Sequence, residues 1–264
     1  MPNGLLAIVR PVSNAMQFCE LTHLDRTPID VARARRQHAD YVSVLQRLGC
    51  TVHELPAAHD LPDSVFVEDT AVVLDEVAVI TRPGAASRRT EVEAMAEALA
   101  RWRRCVRIEA PATLDGGDVL AVDRTLYVGR TPRSNAEGIS ALAAAVAPHG
   151  HRVVPVGVRG CLHLKSAVTQ VAPDALLVNA DWVDPATWPG LRRIDVDARE
   201  PQAANALAVG GRVLTPSSFP RTHERLAAAG LEVITVDASE VQKAEGGVTC
   251  CSVILRAVQA GFQQ

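Results

Sequence analysis

A strand–strand–helix–strand pattern recurs along this chain and limits its fold more than any other feature. Five segments join polar or small residues to a strand-like apolar run: Phe66–Leu74 (FVEDTAVVL), Leu114–Val122 (LDGGDVLAV), His163–Val171 (HLKSAVTQV), Ala203–Val209 (AANALAV) and Val248–Leu255 (VTCCSVIL). They recur roughly every 40–50 residues, the spacing of repeat architectures. A second strand is predicted after four of them, at Val77–Thr81, Thr125–Val128, Ala175–Val178 and Arg212–Thr215. Three of these run through proline-containing turns into helices predicted over Thr90–Trp102, Asn135–Ala147 and Arg221–Ala229. Closing strands are predicted at Val106–Glu109, Arg152–Val156 and Glu232–Val236.

The N-terminus supplies what the last segment lacks. Strand Leu5–Val9, helix Asp30–Leu48 and strand Thr51–Leu55 can pair with Val248–Leu255 to complete a fifth unit. The third unit is the least regular, because the stretch after Asp181 carries only a weak helical pattern. An open α/β sheet with helices on both faces is the alternative, but the strand–strand–helix–strand order is not simple βαβ alternation. The expectation is therefore an α/β fold of five pseudosymmetric propeller blades, with residues 1–264 as a single domain. If five units close into a ring, Glu68, Asp69, Asp115, Asp118, His163, Asn205 and Cys250 converge on one central cleft.

Composition removes several function classes. Of 264 residues 48% are hydrophobic and the net charge is only −3, which excludes disorder. No Lys/Arg run with interleaved aromatics is present, so no nucleic-acid partner is expected. No apolar window reaches the ~18 residues of a membrane span, and the run near the N-terminus reads as a strand, not a signal peptide. The six cysteines form no C-x-x-C and no zinc-ligand spacing, so free thiols in a reducing cytoplasm are expected, with no metal.

Cys250, in GGVTCCSVIL, is the best nucleophile candidate, because flanking glycines let a substrate approach and a thiolate attacks electrophilic carbon. If Cys250 and Cys251 lie on a strand, only one faces the cleft and the other is core. His163 is placed at the mouth of a strand. Asp63, Glu68 and Asp69, three carboxylates beside Phe66, suit a planar organic cation. Arg88 and Arg133 follow strands by way of proline turns, where arginine can clamp a carboxylate. The glycines of LDGGDVL lack the pattern of a phosphate loop.

As an ordered set, PDSVFVEDTAVV, ITRPGAASRR, LDGGDVL, TPRSNAEG, LHLKSAV, AANALAV, FPRTHERL and EGGVTCCSV resemble the guanidine-modifying (amidinotransferase/pentein) superfamily, most closely its dimethylarginine dimethylaminohydrolase family. The resemblance runs from about residue 62 to 254 and is weaker in the N-terminal quarter. It implies a five-bladed α/β propeller that hydrolyses Nω,Nω-dimethyl-L-arginine, or the monomethyl compound, to L-citrulline and an amine without a cofactor. It further implies Cys250 as nucleophile, His163 as general acid and then base, and Asp115 as its orienting partner. Asp63, Glu68 and Asp69 would hold the guanidinium or substrate amine, and Arg88 and Arg133 the α-carboxylate. Leu21, in a lid, and the carbonyl of Ala244 would touch the amino-acid end. The sequence departs from the family pattern at Glu20, where glycine is common, and at Glu245, where aspartate is common.

Two other readings compete. An arginine deiminase or amidinotransferase would share the site, although those relatives usually have longer chains. A non-catalytic protein that senses metal or oxidant through Cys250 and His163 would form no citrulline. The expected partner is a small-molecule substrate, and assembly as a homodimer is left open.

Overall fold

The computed structural model describes residues 4–257. The chain enters through β1 (Leu5–Val9), α1 (Val31–Arg47) and β2 (Cys50–Glu54). A first repeat follows with β3 (Ala71–Val73), β4 (Val77–Ile80), α2 (Val92–Leu99) and β5 (Arg104–Arg107). The second holds β6 (Val119–Val122), β7 (Thr125–Arg130), α3 (Ala136–Val146) and β8 (Arg152–Gly157). The third opens with the short helix α4 (Leu164–Ala167) and continues through β9 (Val168–Ala172), β10 (Ala175–Val178) and β11 (Arg192–Asp195). The fourth contains β12 (Leu207–Val209), β13 (Arg212–Pro216), α5 (Pro220–Ala228) and β14 (Val233–Val236). After α6 (Ser239–Gln242), β15 (Val253–Arg256) returns to β1.

These strands make five three-stranded sheets, β15-β1-β2, β3-β4-β5, β6-β7-β8, β9-β10-β11 and β12-β13-β14. In every sheet the first strand is antiparallel to the second and the second parallel to the third. Parallel neighbours need a crossover, and α1, α2, α3 and α5 supply it in four blades. The middle strands are the most buried: every residue of β4 (VAVI) and β10 (ALLV) is inside, as expected of strands covered on both faces.

Local chemistry sets the helix ends. The Asp30 side chain accepts from Arg33 N–H at 2.9 Å to start α1, and Asn135 does the same for α3 from Gly138 N–H at 2.7 Å. α1 buries Ala34, Gln37, His38, Tyr41, Val44 and Leu45, one face at helical spacing. The third blade has only a single turn at Pro185–Thr187 where its siblings have a helix. Trp188 fills that place, packing with Val183 on the apolar face of the blade and lying 5.3 Å from the ring of Tyr127.

The structure corrects three local expectations. The polar heads of the inner strands are not strand but tight turns: Val67–Thr70, Gly116–Asp118 and Pro201–Ala204 are 3-10, His163 precedes α4, and Val248–Cys251 is a turn. Cys250 and Cys251 are therefore separated by turn geometry, not by strand alternation. Strand β11 went unexpected, because its sequence, RRID, exposes both arginines and offers only Ile194 to the core.

The inner strands β3, β6, β9, β12 and β15 surround a central channel of about 880 Å³. Their heads close one end of it, and the candidate site lies on that closure.

Candidate active site

The turn at each blade head aims polar side chains toward the axis, and Asp63, Phe66, Asp69, Arg88, Arg133, His163, Ala244 and Cys250 all line one narrow cleft of about 20 Å³. With Glu20, six separate stretches of chain contribute to it, so only closure of the ring assembles the cleft.

Cys250 is buried in the Val248–Cys251 turn. The Gly247 N–H points at its sulfur from 3.3 Å, while Asn205 Nδ2 stands 4.0 Å away and Thr249 Oγ1 3.9 Å away. Burial, with the nearby Glu68 and Asp69 charges, pushes the thiol up to about 12, although the Gly247 N–H and Thr249 work against the rise. The resting cysteine is thus protonated. Cys251 points the other way, into the core around Tyr41 and Val248, with its thiol on Gly247 O at 3.5 Å.

His163 sits at the N-terminus of α4 with Nε2 3.0 Å from Asp115 Oδ2 and Nδ1 3.8 Å from Asp69 Oδ1. Burial alone would depress its pKa, but Asp69, Asp115 and Asp118 outweigh burial and raise it to about 9. It is an imidazolium at neutral pH, and Nδ1 is the nitrogen without a short partner. Asp115 is itself fixed by the Gly84 N–H, which donates to Oδ1 at 2.8 Å. Asp118 braces the same segment: it accepts from Thr131 and Ser134 hydroxyls, both at 2.6 Å, and from Leu164 N–H at 3.0 Å. Nothing in the sequence pattern distinguished that bracing role, because its partners lie up to 46 residues away.

Asp69 is held from two sides. Arg88 Nη1 lies 2.6 Å from its Oδ2, and Gly117 N–H donates to Oδ1 at 3.0 Å. Burial would raise this carboxyl, but His163, Arg88 and Gly117 hold it well below the usual carboxylate range. Arg88 is buried, with Nε and Nη2 on Glu91 at 3.1 and 2.8 Å and Nη2 also on the carbonyl of Phe66 at 3.0 Å. Its guanidinium is committed inside the protein. Arg133 differs: among the described residues, its guanidinium hydrogen-bonds only the Thr22 hydroxyl, at 3.3 Å.

The structure does not bring Glu68 into the cleft. Its carboxylate turns to the channel side, where Lys165 Nζ is 2.6 Å from Oε1 and the Thr249 hydroxyl donates to Oε2 at 2.8 Å. Leu21 does not line the cleft either; it is half-buried against the core beside Cys19, and Glu20 takes the adjoining place on the cleft wall. The strap that contains them is tied at both ends: Asp63 Oδ2 accepts Glu20 N–H at 3.1 Å, and the Glu245 carboxylate accepts the N–H groups of Thr22, His23 and Leu24.

Asp69, Asp115 and His163 bring one oxygen or nitrogen each within 4.8 Å of one another, close enough for a metal ion. Two of these ligand atoms belong to carboxylates that flank the protonated His163, and Asp69 also meets Arg88 at 2.6 Å. Among the described residues, no helix is long and apolar enough to cross a membrane.

Five three-stranded blades around a buried cysteine, histidine and carboxylates define a guanidine-modifying protein of the pentein fold. The fold recurs in the N-terminal domain of ArgZ, an arginine dihydrolase of cyanobacteria, at a TM-score of 0.86 and 19% identity over 97% of this chain and 98% of that one. A family model described as N,N dimethylarginine dimethylhydrolase, eukaryotic, matches residues 17–191. The N(G),N(G)-dimethylarginine dimethylaminohydrolase of Streptomyces coelicolor is 44% identical over 253 residues, 95% of this chain and 96% of that protein. A cysteine-to-serine variant of the Pseudomonas aeruginosa enzyme, solved with citrulline, superimposes at a TM-score of 0.90 with 34% identity, covering 96% of this chain and 100% of that one. The chain belongs to the dimethylarginine dimethylaminohydrolase family.

Proposed function

We propose that this chain hydrolyses Nω,Nω-dimethyl-L-arginine, or its monomethyl counterpart, to L-citrulline and dimethylamine or methylamine. The observation that carries the reading is the meeting, in one cleft, of a cysteine, an imidazolium and a carboxylate suited to a guanidinium. In this reading the Asp69 carboxylate faces the guanidinium, Asp63 lies along the substrate amine, and Arg133 receives the α-carboxylate. Phe66 and the Ala244 carbonyl flank the substrate, and Leu21 closes over it from the strap. Arg88 acts behind Asp69, keeping it charged and fixed.

A guanidinium is a poor electrophile because its charge is delocalised. Pairing with Asp69 localises the cation and sets its central carbon against Cys250. The Cys250 thiolate forms the S–C bond, and His163 gives its Nδ1 proton to the departing amine as the C–N bond breaks. A covalent S-alkylthiouronium remains. His163, now neutral, takes a proton from water, whose oxygen attacks the same carbon; the C–S bond breaks and the urea of citrulline is released.

The cleft is narrow, about 20 Å³, and is bordered by Glu20 and by Glu245, which ties Thr22–Leu24, so in this reading the strap opens to admit substrate. We further propose that residues 1–264 act as one catalytic unit in the cytoplasm, with a small-molecule substrate and no nucleic-acid partner. The test is citrulline formation from dimethyl-L-arginine and from L-arginine, in parallel, by the wild type and Cys250→Ser. Citrulline from the methylated substrate, lost in the variant, is the expected result; faster turnover of L-arginine would make the chain a deiminase instead.

A further inference from the structure

Cys250 must lose a proton before it can attack, and His163, held as an imidazolium between Asp69 and Asp115, is in no state to take it. The far side of the sulfur offers another acceptor. Thr249 Oγ1 stands 3.9 Å from Cys250 Sγ, 2.8 Å from Glu68 Oε2 and 2.9 Å from Asn205 Nδ2. Glu68 in turn meets Lys165 at 2.6 Å, and Glu68, Lys165 and Thr249 all border the central channel of about 880 Å³.

The hydrogen-bond inventory gives this chain of groups a direction. A threonine hydroxyl has one proton, and a carboxylate paired with lysine can only accept, so that proton points at Glu68. The amide of Asn205 cannot compete for it. Its Oδ1 already accepts the Thr249 N–H at 3.0 Å, which turns Nδ2 toward the hydroxyl as a donor. Thr249 Oγ1 therefore presents a lone pair to the sulfur, and the thiol is the donor in that contact.

We propose that Thr249 and Glu68 carry the Cys250 thiol proton out of the active site into the central channel, with Asn205 and Lys165 as positioning residues. The Sγ–H bond breaks and its proton passes to Thr249 Oγ1, while the original Thr249 proton passes to Glu68 Oε2. Cys250 keeps the electron pair as a thiolate beside the Gly247 N–H, Thr249 is again a neutral hydroxyl, and Glu68 is briefly a neutral acid. Glu68 then releases the proton to water in the channel, so one proton leaves for each thiolate formed. The cleft meanwhile receives the guanidinium from the opposite side, and substrate and proton never share a path. This proposal rests on the hydrolytic reading above.

Rapid mixing with dimethyl-L-arginine, followed by acid quench and mass spectrometry of the covalent adduct, tests it in the wild type, Thr249→Val, Thr249→Ser and Glu68→Gln. Thr249→Val keeps the side-chain shape and Glu68→Gln keeps its volume, and circular dichroism verifies each fold. Both are expected to slow adduct formation by about 10²-fold, the usual scale of a lost proton-transfer group, with KM changed less than about threefold. Thr249→Ser is expected to restore the rate to within about threefold of wild type, which packing alone would not do. A Val variant as fast as wild type, or a Ser variant as slow as Val, overturns the route while the hydrolytic reading stands. If Thr249→Val fails to fold, Glu68→Gln decides the question by the same rate. A wild type that forms no adduct overturns the hydrolytic reading and the route with it.

Discussion

Asp115 Oδ2 stands 3.0 Å from Nε2 of His163, and both side chains are buried. The carboxylate both orients the ring and stabilises its charge, and Nδ1 is left without a short partner, 3.8 Å from Asp69 Oδ1. Asp115→Asn keeps the shape but removes the anion. It is expected to lower kcat on the order of 10²–10⁴-fold, as loss of an orienting carboxylate does elsewhere, with the fold intact by circular dichroism.

Gly117 is the spacer that lets Asp69 and His163 approach. A Cβ built there would lie 2.7 Å from Asp69 Oδ1 and 2.7 Å from His163 Nδ1. Gly117→Ala therefore displaces Asp69 and His163, the groups proposed above to hold the guanidinium and to protonate the leaving amine. A misplacement of about 1 Å is enough to cost roughly 10²-fold in kcat/KM, which steady-state assay would show while the thermal midpoint moves little.

Arg88 pairs with two buried carboxylates, Asp69 and Glu91. Arg88→Met leaves buried Glu91 without its cation and Asp69 with only the Gly117 N–H and His163. The expected loss of stability is about 3–5 kcal/mol in urea unfolding. Adding Asp69→Asn to that variant should recover part of the loss, because one under-paired charge is then gone; a further drop would show that the Gly117 N–H and His163 suffice to hold Asp69 charged.

The pH dependence follows from two groups. Free enzyme below about pH 9 carries a thiol at Cys250 and an imidazolium at His163, one proton more than the thiolate and imidazolium that the proposed reaction needs. kcat/KM should thus climb about tenfold per pH unit until His163 begins to lose its proton, and then level off. The level begins near pH 9, where His163 titrates. Stability moves the other way. The raised pKa of His163 contributes stability that is fully present below its unfolded value and is lost as pH rises through about 9. A kcat/KM profile that instead falls from pH 7 upward would rule out this pair of protonation states.

Much of the ring was legible in the sequence. β1, β10 and the body of α1 fall where the patterns put them, because their residues combine strong period with clear end signals such as Asp30. β11 was not legible, since RRID contributes a single buried side chain and its pairing with β10 is a tertiary fact. The strand heads misled for a related reason. HLKS and VED are joined directly to apolar runs, with no Gly or Pro between to mark the boundary, and they turn tightly instead of extending.

The fate of Glu68 and Asp69 shows how such a turn matters. On a strand they would point to opposite faces, and in a flexible loop both could meet a cation. In the 3-10 turn Val67–Thr70, successive side chains diverge by about 120°, so Asp69 enters the cleft while Glu68 faces the channel.

The order of repeats, the family and the residue types able to attack, protonate and bind a guanidinium were written in the linear sequence, because period and motif are local properties. Which carboxylate meets which cation was decided only by closure of the ring. Asp115 reaches His163 across 48 positions, and Glu68 reaches Thr249 across 181. Hydrogen bonds fall off within a few tenths of an ångström, and no local pattern specifies such distances.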